Sequence, residues 1–92
     1  MSAARTSRRR VRILDPEGLH ARPCARIARA AEGFRSDVAV IAGDRRADAR
    51  SVLSLLELAV LASSEVEIVA TGDDAEACAA ALAEILTVPP PA

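Results

Sequence analysis

The chain holds a single histidine, His20, in the run Gly18-Leu19-His20-Ala21-Arg22-Pro23. A neutral imidazole is a nucleophile near neutral pH. It can take up a phosphoryl group and release it again, because the phosphoramidate it forms is labile. The neighbours suit that chemistry. His20 falls where a loop becomes a helix, and the first backbone N–H groups of a helix have no partner within it and bind anions. The N–H groups of Ala21 and Arg22 are the expected backbone contacts to a phosphoryl group. The Arg22 side chain adds charge-assisted hydrogen bonds to its oxygens. Pro23 lies in the first turn, where its missing N–H costs little. Gly18 permits the loop geometry just before the site. Spacing alone leaves a plainer alternative open, in which His20 is a cap or surface residue and Arg22 a solvated helix charge.

The elements that must position these residues follow from periodicity and punctuation. Val11 and Ile13 alternate with Arg10 and Arg12 from Arg8 onward, as in a half-buried strand. Asp15-Pro16-Glu17-Gly18 signals a turn or loop. Ala21 to Glu32 reads as a helix with Cys24, Ile27, Ala28 and Ala31 on one face, Arg22, Arg26 and Arg29 on another, and Gly33 as its C′ residue. Asp37 to Ala42 reads as a strand, Gly43-Asp44-Arg45 as a turn, and Arg46 to Arg50 as a polar edge strand. Ser51 caps a short helix running to Ala59 that is too rich in leucine to bury every one of them. Glu65 to Thr71 alternates Val66, Ile68 and Ala70 inward with Glu65 and Glu67 outward. Gly72-Asp73-Asp74 then opens a last helix, its acids suited to the helix dipole, which reaches about Leu86 and is stopped at Val88-Pro89-Pro90-Pro91. Strands with one apolar and one charged face need helices on one side only, so the expected fold is a two-layer α+β sandwich. Residues 1–7 are expected to be a flexible extension, 8–88 a single domain and 89–92 a Pro-rich tail.

Composition excludes several function classes. A chain of 92 residues fits one domain with a modest core. A net charge of −1 argues against a general nucleic-acid binder, and with Phe34 as the single aromatic there is no stacking platform for bases. The N-terminal arginines, Arg5, Arg8, Arg9, Arg10 and Arg12, read as a charged strand face with a frayed extension. Cys24 and Cys78 form neither a disulfide framework nor a metal pattern, and with one histidine no metal site and no cofactor are expected. No apolar run is long enough to cross a bilayer, and the Arg-rich start lacks the apolar stretch of a signal peptide. A cytoplasmic, monomeric protein is the expectation.

The run Gly18 to Pro23 resembles the active-site motif of the HPr family, the histidine-containing phosphocarriers of the phosphoenolpyruvate-dependent phosphotransferase system. The resemblance continues through Ala-Arg-Ser-Val-Leu at 49–53, Ala-Thr-Gly-Asp-Asp at 70–74 and the last helix, covering about Arg8 to Leu86. It implies an open-faced sandwich of four antiparallel strands under three helices. It also implies that His20 is phosphorylated by enzyme I at the expense of phosphoenolpyruvate and passes the group to EIIA-type proteins, with Arg22 stabilising it. The protein would then be a carrier with a transient phosphohistidine rather than an enzyme. In that family the first and second helices form the docking surface. Carried over, Leu53 and Leu56 are its apolar centre, with Arg22 and Arg29 on the rim.

Ser51 matches the serine that HPr kinase/phosphorylase modifies in many members, which makes it a candidate regulatory phosphosite as well as a helix cap. Members under that control usually have Gly where this chain has Ser54. Cys24 stands where Ala is usual, and Ala59 and Ser63 where many members have Gly. Ser-Val-Leu-Ser-Leu-Leu at 51–56 is closer to the nitrogen-related branch than to the sugar branch. The alternative role is therefore a nitrogen-branch or regulatory module acting through phosphorylation-dependent protein binding.

Overall fold

A computed structural model describes residues 5–87. Residues 1–4 of the expected extension, the stop at Val88–Pro91 and the tail at 89–92 lie outside the described residues. Within them the order is β1 (Thr6–Arg12), α1 (Ala21–Ala31), β2 (Asp37–Ala42), β3 (Arg45–Asp48), α2 (Val52–Glu57), β4 (Glu65–Thr71) and α3 (Ala75–Thr87). The strands make one antiparallel sheet in the order β1-β4-β2-β3. The helices cover one face, giving the α+β open-faced sandwich. Ile13, Ile27, Val40, Leu55, Ile68 and Leu82 meet between the layers, each no more than 2% exposed. The other face carries charge, with Arg8 bonded to Glu67 at 3.2 Å and Arg12 to Glu65 at 3.5 Å. These two of the N-terminal arginines thus belong to a cross-strand ladder.

Element boundaries differ from expectation where neighbouring segments intervene. β1 starts at Thr6, not Arg8, because β4 extends to Thr71 and offers partners to Thr6 and Ser7. β3 spans Arg45–Asp48 rather than Arg46–Arg50: Asp48 turns the chain by accepting the Arg50 N–H on its side chain and the Ser51 N–H on its carbonyl. α2 ends at Glu57 rather than Ala59. The N–H groups of Leu58 and Ala59 bond three residues back, and Ala59 adopts φ 52°, which no helix continues. Gly33 follows the α1 C-cap, Glu32, but is not left-handed: α1 tightens at its end instead, with Gly33 N–H bonded to the Ala30 carbonyl.

Asp74 takes a role that its position at a helix start does not announce. Its carboxylate accepts the Ser36 hydroxyl at 2.6 Å and the N–H groups of Ser36 and Arg35, both at 2.9 Å. The entrance to β2 is thereby tied to the entrance to α3. Ser36 is fully buried, so its N–H and hydroxyl depend on this partner, while its carbonyl accepts from Arg50 at 2.9 Å. The Ser36 hydroxyl, then the backbone donors, hold the Asp74 carboxyl below the ordinary carboxylate range. A carboxyl that is more acidic in the folded chain stabilises the fold fully above its unfolded pKa, and that contribution disappears as pH falls through the folded value. Asp74→Asn is therefore expected to lower the melting temperature near neutral pH and to lose less than wild type on acidification below about pH 4. Parallel melting curves across that range check this, and identical acid slopes would remove Asp74 from the account.

Candidate functional site

His20 is the N-cap of α1, with extended backbone angles of φ −96° and ψ −172°. Its carbonyl accepts the Cys24 N–H at 3.2 Å, the first bond across the helix start. Its side chain does not cap the helix. The ring turns instead toward the preceding loop, where Nε2 lies 2.8 Å from Asp15 Oδ2. Asp15 is itself held in place, since Oδ1 accepts the Glu17 N–H and its carbonyl accepts the Gly18 N–H, both at 2.9 Å. The Glu17 N–H first, and then His20, draw the Asp15 carboxyl below its ordinary range, and the Arg22 charge adds to this. An ionised carboxylate only accepts, so Nε2 is the donor and carries the ring proton. In the neutral ring the lone pair is then on Nδ1.

The loop is positioned by the segment that follows α2. Leu19 N–H bonds the Val60 carbonyl at 3.0 Å, while Ile13 and the Ser63–Ser64 backbone exchange two bonds of 2.9 Å. Gly18 has φ +73°, and a Cβ on it would lie 2.5 Å from the Val60 oxygen. Only glycine fits this approach of two backbones. Ala59 and Ser63, where the resemblance expects glycine, both keep left-handed angles, φ 52° and 70°. The loop conformation survives these replacements at a strain of roughly 1 kcal/mol each.

At the front of α1, neither the Ala21 nor the Arg22 N–H finds a backbone acceptor among the described residues. Both donors are open at the helix start that His20 caps. Arg22 is exposed, and its charge reaches Asp15. Cys24 is fully buried, with Sγ toward the Leu19 carbonyl, and burial pushes its thiol up to about 11. It is a packed thiol whose burial disfavours the nucleophilic thiolate. Nε2 of His20 and the carboxylates of Asp15 and Glu17 lie within 4.8 Å of one another. A cation on Nε2 would have to displace the proton shared with Asp15, so the group stands as a hydrogen-bonded carboxylate–imidazole pair with Glu17 3.9 Å away.

Ser51 is the N-cap of α2, its Oγ accepting the Ser54 N–H at 3.1 Å. α2 packs against α1. Of its leucines, Leu55 is fully buried while Leu53 and Leu56 are 68% and 37% exposed. Arg29 is exposed in the last turn of α1. Three residues escaped the sequence reading. Leu14 and Leu61 are also exposed, on the two segments that bond to each other beside the site. Asp15 looked only like part of a turn. The one local signal for its role is an acid five residues before the histidine, which carries no periodicity.

No described helix is long and apolar enough to cross a membrane. A family model described as the PTS HPr component phosphorylation site matches residues 7–87. A phosphocarrier protein HPr of Haloferax volcanii is 39% identical over 83 residues, covering 88% of this chain and 93% of the relative. A multiphosphoryl transfer protein of Xanthomonas campestris is 46% identical over 65 residues, 71% of this chain, which spans only 8% of that much longer protein. The crystal structure of a phosphocarrier protein HPr from Bacillus anthracis superposes with a TM-score of 0.84 at 29% identity, over 89% of this chain and 98% of that one. Sequence, fold and the match across the His20 motif agree, and the chain belongs to the HPr family of phosphotransferase-system phosphocarriers.

Proposed function

We propose that His20 accepts a phosphoryl group from phosphorylated enzyme I and hands it to EIIA-type proteins, for sugar uptake or its regulation. The observation that carries this reading is the pairing of a ring oriented by Asp15 with two free N–H donors at the same helix start. The donors and the helix dipole favour an anion there. Transfer takes place in the cytoplasm, between the monomeric carrier and one partner at a time. Incubation with enzyme I, Mg²⁺ and phosphoenolpyruvate, followed by intact mass measurement, tests it. One acid-labile phosphoryl group is the expected result. No uptake by folded protein, with an enzyme I active on its own carrier, would sink the proposal.

Arg22 stabilises the transferred group in this reading. Its side chain is exposed on the first turn of α1, so its replacement is expected to leave the fold alone. A hydrogen bond to a charged group contributes about 1.5–3 kcal/mol, so Arg22→Glu is expected to slow transfer about ten- to hundredfold at unchanged melting temperature. Rapid-quench kinetics check this, and an unchanged rate would take Arg22 out of the site.

Docking uses exposed Leu53 and Leu56 with Arg22 and Arg29 at the rim, a small apolar centre inside polar edges. A phosphoryl group on Ser51, added by an HPr kinase/phosphorylase, would bring negative charge beside those leucines and weaken docking to an acidic partner.

A further inference from the structure

Asp15 lies outside the run from Gly18 to Pro23, yet it makes the one hydrogen bond of the His20 ring among the described residues. Its two oxygens have separate tasks. Oδ1 holds the loop through the Glu17 N–H, and Oδ2 meets Nε2. The charged groups facing the ring are Asp15 and Glu17 from the loop, and the Arg22 charge on α1 acts on Asp15. The segment from Leu58 to Ser64, which bonds to the loop, contains no titratable side chain.

We propose that Asp15 is a positioning residue that keeps the ring proton on Nε2 throughout the cycle, so that Nδ1 both receives and releases the phosphoryl group. This rests on the carrier reading of His20. On uptake, the Nδ1 lone pair forms the N–P bond while the bond from phosphorus to the donor breaks and its electron pair leaves with the donor. The ring becomes a cation that still holds its Nε2 proton, and the Asp15 carboxylate lies against that charge. On delivery, an acceptor lone pair attacks phosphorus and the N–P electrons return to Nδ1. The ring leaves neutral, with its proton where it began, ready for the next cycle. No proton has to move between the two nitrogens.

Asn at position 15 separates this role from mere support of the loop. Asn suits the same turn and can still accept the Glu17 N–H on its oxygen. Its NH₂ group then faces Nε2, which must become an acceptor, and the proton moves to Nδ1. The corresponding exchange in a buried carboxylate–histidine pair costs about 10⁴-fold in rate; this pair is partly exposed, so uptake about ten- to hundredfold slower is expected. Nitrogen-15 NMR of the His20 ring at alkaline pH should find the proton on Nε2 in wild type and on Nδ1 in Asp15→Asn. Asp15→Ala frees Nε2, so treatment with phosphoramidate should label Nδ1 in wild type and add the Nε2 isomer in the variant. Unchanged tautomer in Asp15→Asn, or the same isomers in Asp15→Ala and wild type, overturns the assignment. Neither measurement needs a partner protein. Failure of the carrier reading shows as no labelling by enzyme I with the isomer difference intact. Failure of the Asp15 assignment shows as normal labelling with no difference of tautomer or isomer.

Discussion

His20→Ala is expected to take up no phosphoryl group from enzyme I and phosphoenolpyruvate, while folding like the wild type. The loss should be complete because the chain has no second histidine. The two cysteines are buried with their thiols pushed up, so neither substitutes as a nucleophile. The fold should survive for a reason visible at the helix start. Removing an N-cap side chain usually costs about 1 kcal/mol, but only where it bonds to the helix. The His20 side chain makes no such bond, and alanine preserves the backbone that does the capping. The replacement leaves Asp15 with its Glu17 partner, on a site where water can reach the vacated oxygen. Intact mass and a thermal melt on the same sample read both arms. A labelled variant would move the phosphoryl group to another residue, and an unfolded one would show that the ring supports the loop.

The second large effect is on stability and concerns α2. Six residues are too few to form a stable helix alone, so α2 persists through what it buries. Leu55 is the one residue of the helix that is fully enclosed. Leu55→Ala is expected to cost about 3 kcal/mol from lost transfer energy and the cavity left behind. Against a total of roughly 5–14 kcal/mol for a chain of this size, that is a large share. It corresponds to a drop of about 12–24 °C in melting temperature. Leu53→Ala, two residues away and 68% exposed, should change stability by no more than about 0.5 kcal/mol. On the proposed function, Leu53→Ala should instead weaken binding to enzyme I. Denaturant melts and binding titrations of both variants test the pair together. Equal destabilisation by the two would mean that α2 does not face the core through Leu55.

The contrast between these leucines marks how far the sequence reaches. Alternation points Val66, Ile68 and Ala70 inward, and they are buried. β2 and β4 have the limits expected from their patterns, and α1 buries the face that helical spacing marks. His20 at a helix entrance, and Ser51 at another, follow from local punctuation by Gly, Pro and Ser. Each of these depends on neighbours within a few residues, and short-range sterics and periodic burial write such information directly into the chain. In α2, apolar residues at nearly every position hid the period, so the sequence announced a leucine surplus without saying which one was core.

Tertiary structure decided the rest. The register that sets β4 between β1 and β2 joins segments far apart in the chain. Asp74 serves Ser36 across 38 positions, although its place before α3 suggested only a helix-dipole role. Gly18 is required because the Val60 carbonyl approaches it, and that approach exists only once the segment after α2 has folded back. Asp15 is the same kind of case at the site itself. Its partner His20 is close in sequence, but the direction of its carboxylate is set by the loop that Val60 holds. Side-chain types and local periods determine what each segment forms; which donor meets which acceptor is determined by packing distant segments together, because a buried or bridged polar group takes its partner from whatever the fold brings within reach.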